Sequence, residues 1–180
     1  MSQLFPHAGP WTVDDLPEEG WYEIVDGALV VSPAPSPRHE VIGSGLLVLL
    51  AGRFGHARVL AGGGVTFSAV NYRIPDTLVL REGLDAMTAP SIGPGDALLV
   101  VEVVSPSSVT TDHITKRAQY ARAGIPGYWI VETDPELRLT AMTLPAGGDV
   151  YAELGSWGEG ERVAVDTPLE IAFELATLRG

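Results

Sequence analysis

Residues 97–132 read ALLVVEVVSPSSVTTDHITKRAQYARAGIPGYWIVE, and this stretch decides the fold. Ala97–Val104 places seven apolar residues around one acid, Glu102, the pattern of a strand buried on both faces. Residues 113–123 predict a helix, closed by Gly124 with Pro126 just beyond, because glycine ends a helix readily and proline cannot continue one. Residues 128–132 (YWIVE) predict a further buried strand. The helix is therefore a crossover between two strands of one sheet.

Upstream, two more strand candidates precede this unit. Residues 57–60 continue past Gly62-Gly63-Gly64 into residues 65–68, and residues 73–80 follow. The triple glycine lacks the Lys-Ser/Thr of a phosphate loop and reads as a bulge or bend. Ser36-Pro37 is a helix start, and Ile42, Leu46, Leu49, Leu50 and Phe54 recur on one face behind it. Residues 22–31 (YEIVDGALVV) set Asp26-Gly27 between apolar runs, the signal of a type I′ hairpin. The proline-rich SPAPSP links hairpin to helix. Downstream, LRLTAMTL, DVYAEL and ERVAV suggest extra strands, and residues 169–178 a short closing segment. The order helix, three strands, helix, strand argues an α+β (mixed α/β) fold around one central mixed sheet. A single domain, 1–180, is expected: an arm and hairpin at 12–36, a core at 37–133 and a C-terminal strand extension at 134–180.

Composition narrows the function. A chain of 180 residues with 46% hydrophobic and 19% charged residues is globular and long enough for one core. Twenty-three acids against eleven bases give a net charge of -12, which argues against a protein that coats nucleic-acid phosphates. The absence of cysteine excludes disulfides and thiolate chemistry. The opening residues show neither a basic start nor a long apolar run, so no secretory signal or membrane span is read and a cytoplasmic location is expected. Ten of the eleven bases are arginine, and Lys116 is the one lysine.

The chemistry gathers around a few positions. A lone carboxylate inside Ala97–Val104 would cost several kcal/mol, on the order of the penalty for a buried charge, unless Glu102 is paired or bound to a cation. Glu102 could instead end the strand in solvent or bond an arginine. In residues 73–80, Ile74, Asp76, Leu78 and Leu80 share one face, and Pro75 confines the stretch to a strand start or edge. Asp76 with Glu102 would suit Mg²⁺, which takes one or two carboxylates plus water and phosphate, and the Val103 carbonyl could add an oxygen. Asp112, Lys116 and Tyr120 fall at i, i+4 and i+8 of the helix. They read either as an exposed ion pair beside a surface tyrosine or as a polar face turned to the strand ends. On a regular wheel Ile114, Ala118, Ala121 and Ile125 form the apolar stripe, nearly opposite Lys116. An exposed alanine stripe and the extra strands make a homodimer the expected assembly.

YEIVDGALVVSPAPSPRHE, RIPD, LLVVEVVSPSS and DHITKRAQYARAGIPGYWIV, in that order over residues 12–133, resemble the Uma-two family of bacterial proteins, grouped with restriction endonucleases in the PD-(D/E)XK superfamily. The resemblance implies a restriction-endonuclease-like core and Mg²⁺- or Mn²⁺-dependent hydrolysis of DNA. It assigns Asp76 and Glu102 to the metal, with Lys116 and Tyr120 as catalytic partners. The superfamily lysine would fall two residues after Glu102, where this chain has Val104; Lys116 on the following helix stands in for it. Glu23, His39 and Glu40 also match the family pattern and are cleft candidates with Asp112, although Glu23 reads equally as a strand-face charge and Glu40 as a helix-start acid. No trio of zinc ligands is read. The alternatives are an inactive nuclease-fold module for protein binding or regulation, and a hydrolase of smaller phosphate esters. Arginines 38, 53, 58, 73, 117 and 122 are expected near the cleft if DNA is the substrate.

Overall fold

A computed structural model of the chain describes residues 8–17, 20–32, 34–105 and 108–180. Pro33 in the proline-rich link, Pro106 after the Glu102 strand and the first seven residues lie outside them. Strands β1 (Tyr22–Val25) and β2 (Ala28–Val31) form the predicted hairpin. Asp26 (φ 49°) and Gly27 (φ 79°) both take left-handed conformations there, as a type I′ turn requires. Helix α1 (Pro37–Phe54) starts where the sequence indicates: the Ser36 side chain accepts the His39 N–H at 3.2 Å, with Pro37 in the first turn. Ile42, Leu46 and Leu50 are its buried stripe, with Leu49 and Phe54 packed at the margin. Gly45 lets the helix close onto the chain near Leu178, where a Cβ would overlap the Leu178 carbonyl oxygen.

The chain continues through β3 (Val59–Ala61), β4 (Val65–Ser68), β5 (Asn71–Arg73), β6 (Thr77–Leu80) and β7 (Ala97–Val104). A π-helical turn, Thr111–Lys116, leads into α2 (Arg117–Arg122) and then β8 (Gly127–Glu132). Last come β9 (Arg138–Thr143), β10 (Ala152–Gly158), β11 (Arg162–Val165), β12 (Ile171–Glu174) and a 3₁₀ turn over Leu175–Arg179. The main sheet runs β10-β9-β8-β7-β6-β3, the smaller one β2-β1-β5-β4, and β11 pairs β12. Only β7 and β8 pair in parallel within the main sheet, because the helical crossover between them returns the chain to the same end.

Two expectations change here. Of the two readings of Gly62-Gly63-Gly64, the bulge falls and the bend stands, since the chain bends at Gly62 and β3 and β4 belong to different sheets. Residues 73–80 likewise divide, with β5 in the small sheet and β6 in the large one. Both crossings occur at the same level, and the Gly62 N–H donates to the Asp76 carbonyl at 3.1 Å across them. Ile74-Pro75-Asp76 fits such a crossing because proline has no amide to give a ladder.

Period-two alternation splits the main sheet into two faces. Val79, Leu99, Val101, Val103, Trp129 and Val131 pack beneath α1 and the β11–β12 hairpin. Leu78, Leu80, Val100, Val104, Tyr128 and Ile130 pack with Tyr120, Ala121 and Ile125. Gly124 (φ 79°) closes α2: its N–H donates to the Ala121 carbonyl at 3.0 Å and that of Ile125 to Tyr120 at 3.1 Å, which is the Schellman pattern. The regular helical wheel fails before α2, because a π turn rotates its residues relative to a 3.6-residue repeat. Ile114, expected on the apolar stripe, is 65% exposed, while Asp112, Lys116, Tyr120 and Ala121 are the buried set. Ala121 is buried and Ala118 half-buried, so the alanine stripe, one of the two grounds for expecting a dimer, is not fully exposed. No helix among the described residues is long and apolar enough to cross a membrane.

Candidate active site

The sheet brings the two predicted acids together. Thr77 pairs with Val101 in the β6–β7 ladder, so Asp76, one residue earlier, enters beside Glu102 where β6 begins. The Val103 N–H donates to Asp76 Oδ2 at 2.7 Å, and His39 Nε2 lies 3.2 Å from the same oxygen. The N–H and C=O of a strand residue face the same side, so the Val103 carbonyl also faces the gap beside Asp76. Serine capping at Ser36 sets the first turn of α1 that carries His39 to this point.

Glu102 is 2% exposed, and the surface and arginine readings both fall. Tyr120 donates its hydroxyl proton to Oε1 at 2.7 Å, and Lys116 Nζ donates to Oε2 at 2.9 Å. Lys116 also lies 3.2 Å from Asp112 Oδ1 and 3.8 Å from Glu23 Oε1. The exposed Asp–Lys pair is thereby overturned: Asp112, Lys116 and Tyr120 are buried and turned toward β7. Tyr128 holds the helix from below, its hydroxyl donating to the Asp112 carbonyl at 2.9 Å. Glu40, by contrast, is exposed in the first turn of α1 and stands as a favourable helix-start charge.

Glu23 reaches the cluster from β1. It accepts the Ile74 N–H at 3.0 Å and pairs with Arg73 at 3.0 Å, while Arg73 Nε donates to Gln119 at 2.8 Å. Arg73, expected near the cleft for substrate phosphates, is instead buried as a structural counter-ion. Arg58 donates to the Leu80 carbonyl and Arg117 to that of Tyr151, so these two are also engaged within the protein. Arg73 and Gln119 were not singled out from sequence as site residues. The available signal was that Glu23 lies in an apolar strand and so needs a cation, and that Gln119 sits three residues after Lys116, on neighbouring turns.

Burial pushes the Glu102 carboxyl up to about 8, against the opposing pull of Lys116. Burial alone would lower Lys116, but Glu102, Glu23 and Asp112 around it outweigh burial and raise it, so the ammonium keeps its proton. Burial likewise raises Tyr120 well above the usual phenol range and keeps it a donor. The hydrogen bond to Asp76 raises His39 in spite of burial. Asp76 and His39 form the open side of the cluster, their side chains 27% and 15% exposed.

The carboxyl groups of Glu23, Asp76, Glu102 and Asp112 face the cations Arg73 and Lys116, and a divalent cation bound there would favour the ionised form of Glu102, which burial opposes. Asp76, Glu102 and the Val103 carbonyl are hard oxygen donors, and a carboxylate that accepts two hydrogen bonds still has lone pairs free. Among the described residues no group of three His, Cys, Asp or Glu side chains could hold a metal ion. A bound Mg²⁺ would complete its shell with water and substrate oxygens, as that ion commonly does.

Comparison with known proteins bears on the fold and the family. No curated protein matches the chain. Among solved structures, one described as "a putative nuclease belonging to DUF820", from Anabaena variabilis, superposes with a TM-score of 0.69 and 17% identity, over 94% of this chain and 98% of that one. At that identity the likeness is one of fold, and the mixed sheet is thus shared with a nuclease-like structure. The sequence matches the Uma2 family, described as "Putative restriction endonuclease", over residues 11–178, and on that match the chain belongs to the Uma2 family.

Proposed function

We propose that the protein is a Mg²⁺- or Mn²⁺-dependent endonuclease that hydrolyses DNA phosphodiester bonds at the Asp76–Glu102–Lys116 cluster. The observation that carries this reading is Lys116, the one lysine of the chain, buried at 2.9 Å from Glu102 beside the entry of Asp76. Asp76, Glu102 and the Val103 carbonyl would hold the metal, which when bound polarises the scissile phosphate and lowers the pKa of its water.

The protein's own groups have separable tasks. Lys116 holds its proton at Nζ and offers N–H donors to a phosphate oxygen gaining charge, in a site where water screens little. Tyr120 fixes the orientation of Glu102 through Oε1, and Asp112 and Glu23 keep the ammonium charged and in place. His39 orients Asp76 through Oδ2, and the Val103 N–H does the same from β7. Arg73 neutralises Glu23, so that the hairpin carboxylate does not repel the substrate outright.

A second reading, an inactive nuclease-fold module for protein binding or regulation, draws on one observation: both Glu102 oxygens already accept hydrogen bonds within the protein. Cleavage of plasmid DNA by purified protein with Mg²⁺, Mn²⁺ or a chelator separates the two. The endonuclease reading expects metal-dependent cleavage that falls at least a hundredfold, on the order of losing a charge-stabilising donor, in Asp76→Ala and Lys116→Ala. Equal cleavage by all three proteins would identify a contaminant and sink the assignment of this site.

A further inference from the structure

Trp21 immediately precedes β1 and is 61% exposed, whereas Tyr120, Tyr128 and Trp129 are fully buried. Strand alternation puts Trp21 on the same face as Glu23, two residues on. A Cβ at Gly62 would overlap Cζ3 and Cη2 of the indole, so the six-membered ring rests against the Gly62 backbone. The same glycine donates its N–H to the Asp76 carbonyl at 3.1 Å. Two separate routes, along β1 to Glu23 and across Gly62 to the Asp76 carbonyl, thus tie this exposed ring to the backbone that carries two of the acids.

The charge balance says what such a ring is for. A chain of net charge -12 gains little from phosphate contacts, and Arg73, next to the acids, is spent on Glu23. Stacking of a base on an aromatic ring is indifferent to charge and to base identity, and it needs a base that is not already paired in a duplex. We infer that Trp21 is a stacking platform for an unpaired nucleobase flanking the scissile phosphate, so that the substrate class is single-stranded or locally opened nucleic acid. This inference rests on the nuclease reading of the adjoining cluster. The glycine at 62 has its own reason in this arrangement, because any side chain there would displace the ring.

The test measures binding of fluorescein-labelled single-stranded and fully paired DNA oligonucleotides with Ca²⁺ present, and cleavage with Mg²⁺, for wild type, Trp21→Ala and Trp21→Phe. Single-strand affinity is expected to fall about tenfold in Trp21→Ala and to be largely restored in Trp21→Phe, with KM following the same order. The salt dependence of binding is expected to be unchanged, since no phosphate contact is lost. Wild-type affinity for single strands in Trp21→Ala, alongside active cleavage by the wild type, would overturn the platform and leave the nuclease reading standing. A wild-type protein that neither binds nor cleaves nucleic acid would overturn both. Loss of a dimer in Trp21→Ala with unchanged DNA binding would instead assign the ring to self-association and overturn the platform.

Discussion

The two faces of the main sheet are built from the same strands and for opposite purposes. Under α1, alternate residues of β7 and β8 (Leu99, Val101, Val103, Trp129, Val131) pack in one hydrophobic cluster. Under α2, the intervening positions include Glu102, and the buried ions Glu23, Arg73, Asp112 and Lys116 gather on that side. Burying apolar area stabilises a fold, whereas burying a charge pair roughly breaks even at best and often costs stability against an apolar equivalent. The contrast teaches that the α1 face supplies the stability against which the α2 face holds its charges. Three tyrosines soften the boundary: Tyr120 meets Tyr128 edge to face at 5.3 Å and Tyr128 stacks on Tyr151 at 5.6 Å, each apolar in body and hydrogen-bonding at the tip.

The largest effect should come from the apolar face. Trp129→Ala is expected to cost about 3–5 kcal/mol in chemical denaturation, the range for truncating a large core aromatic. A loss below that of the charged-face variants would break the comparison. Lys116→Ala on the α2 face should cost less than the roughly 3–5 kcal/mol typical of breaking a buried pair, because Glu102 can take up a proton once its partner is gone. Its signature is pH dependence: removing the ammonium raises the Glu102 pKa further, so the fall of stability with rising pH should continue beyond pH 8, where the wild-type contribution levels off.

The smallest effect is at His39. Its folded-state pKa is raised by Asp76, so the folded protein binds the proton more tightly than the unfolded chain. The stabilisation is complete below the unfolded value of about 6.5 and is lost as pH rises through the raised one. In chelator-treated protein, His39→Gln should flatten that decline in a melting series between pH 6 and 8. An unaltered slope would remove His39 from the cluster's charge balance.

How much of this was legible in sequence follows from the range of each signal. Asp26-Gly27, Ser36-Pro37 and Gly124 are local rules of backbone conformation, and each element begins or ends where they stand. Glu102 was legible because one carboxylate in an apolar strand must have a reason, and Lys116 because it has no other lysine beside it. The sheet switch at Gly62-Gly63-Gly64 and Ile74-Pro75-Asp76 was not, since strand propensity does not name the partner strand. The face of Lys116 was hidden for a different reason: a wheel drawn at 3.6 residues per turn misplaces residues across a π turn. Arg73 was misjudged as a phosphate contact because its pairing with Glu23 spans fifty residues and leaves no local mark.

The central claim is that the charged face is kept for chemistry and not for stability. The triple variant Glu102→Gln/Asp112→Asn/Lys116→Met tests it in one protein, since it removes the buried ammonium together with the two carboxylates nearest to it while keeping the side-chain volumes. Melting temperature and Mg²⁺-dependent DNA cleavage are measured on the same preparation. The account predicts a melting temperature equal to or above that of the wild type, because exchanging a buried ion pair for uncharged groups is commonly neutral or stabilising by about 1–4 kcal/mol, together with cleavage at background. Retained cleavage, or a loss of stability as large as that of Trp129→Ala, would contradict it.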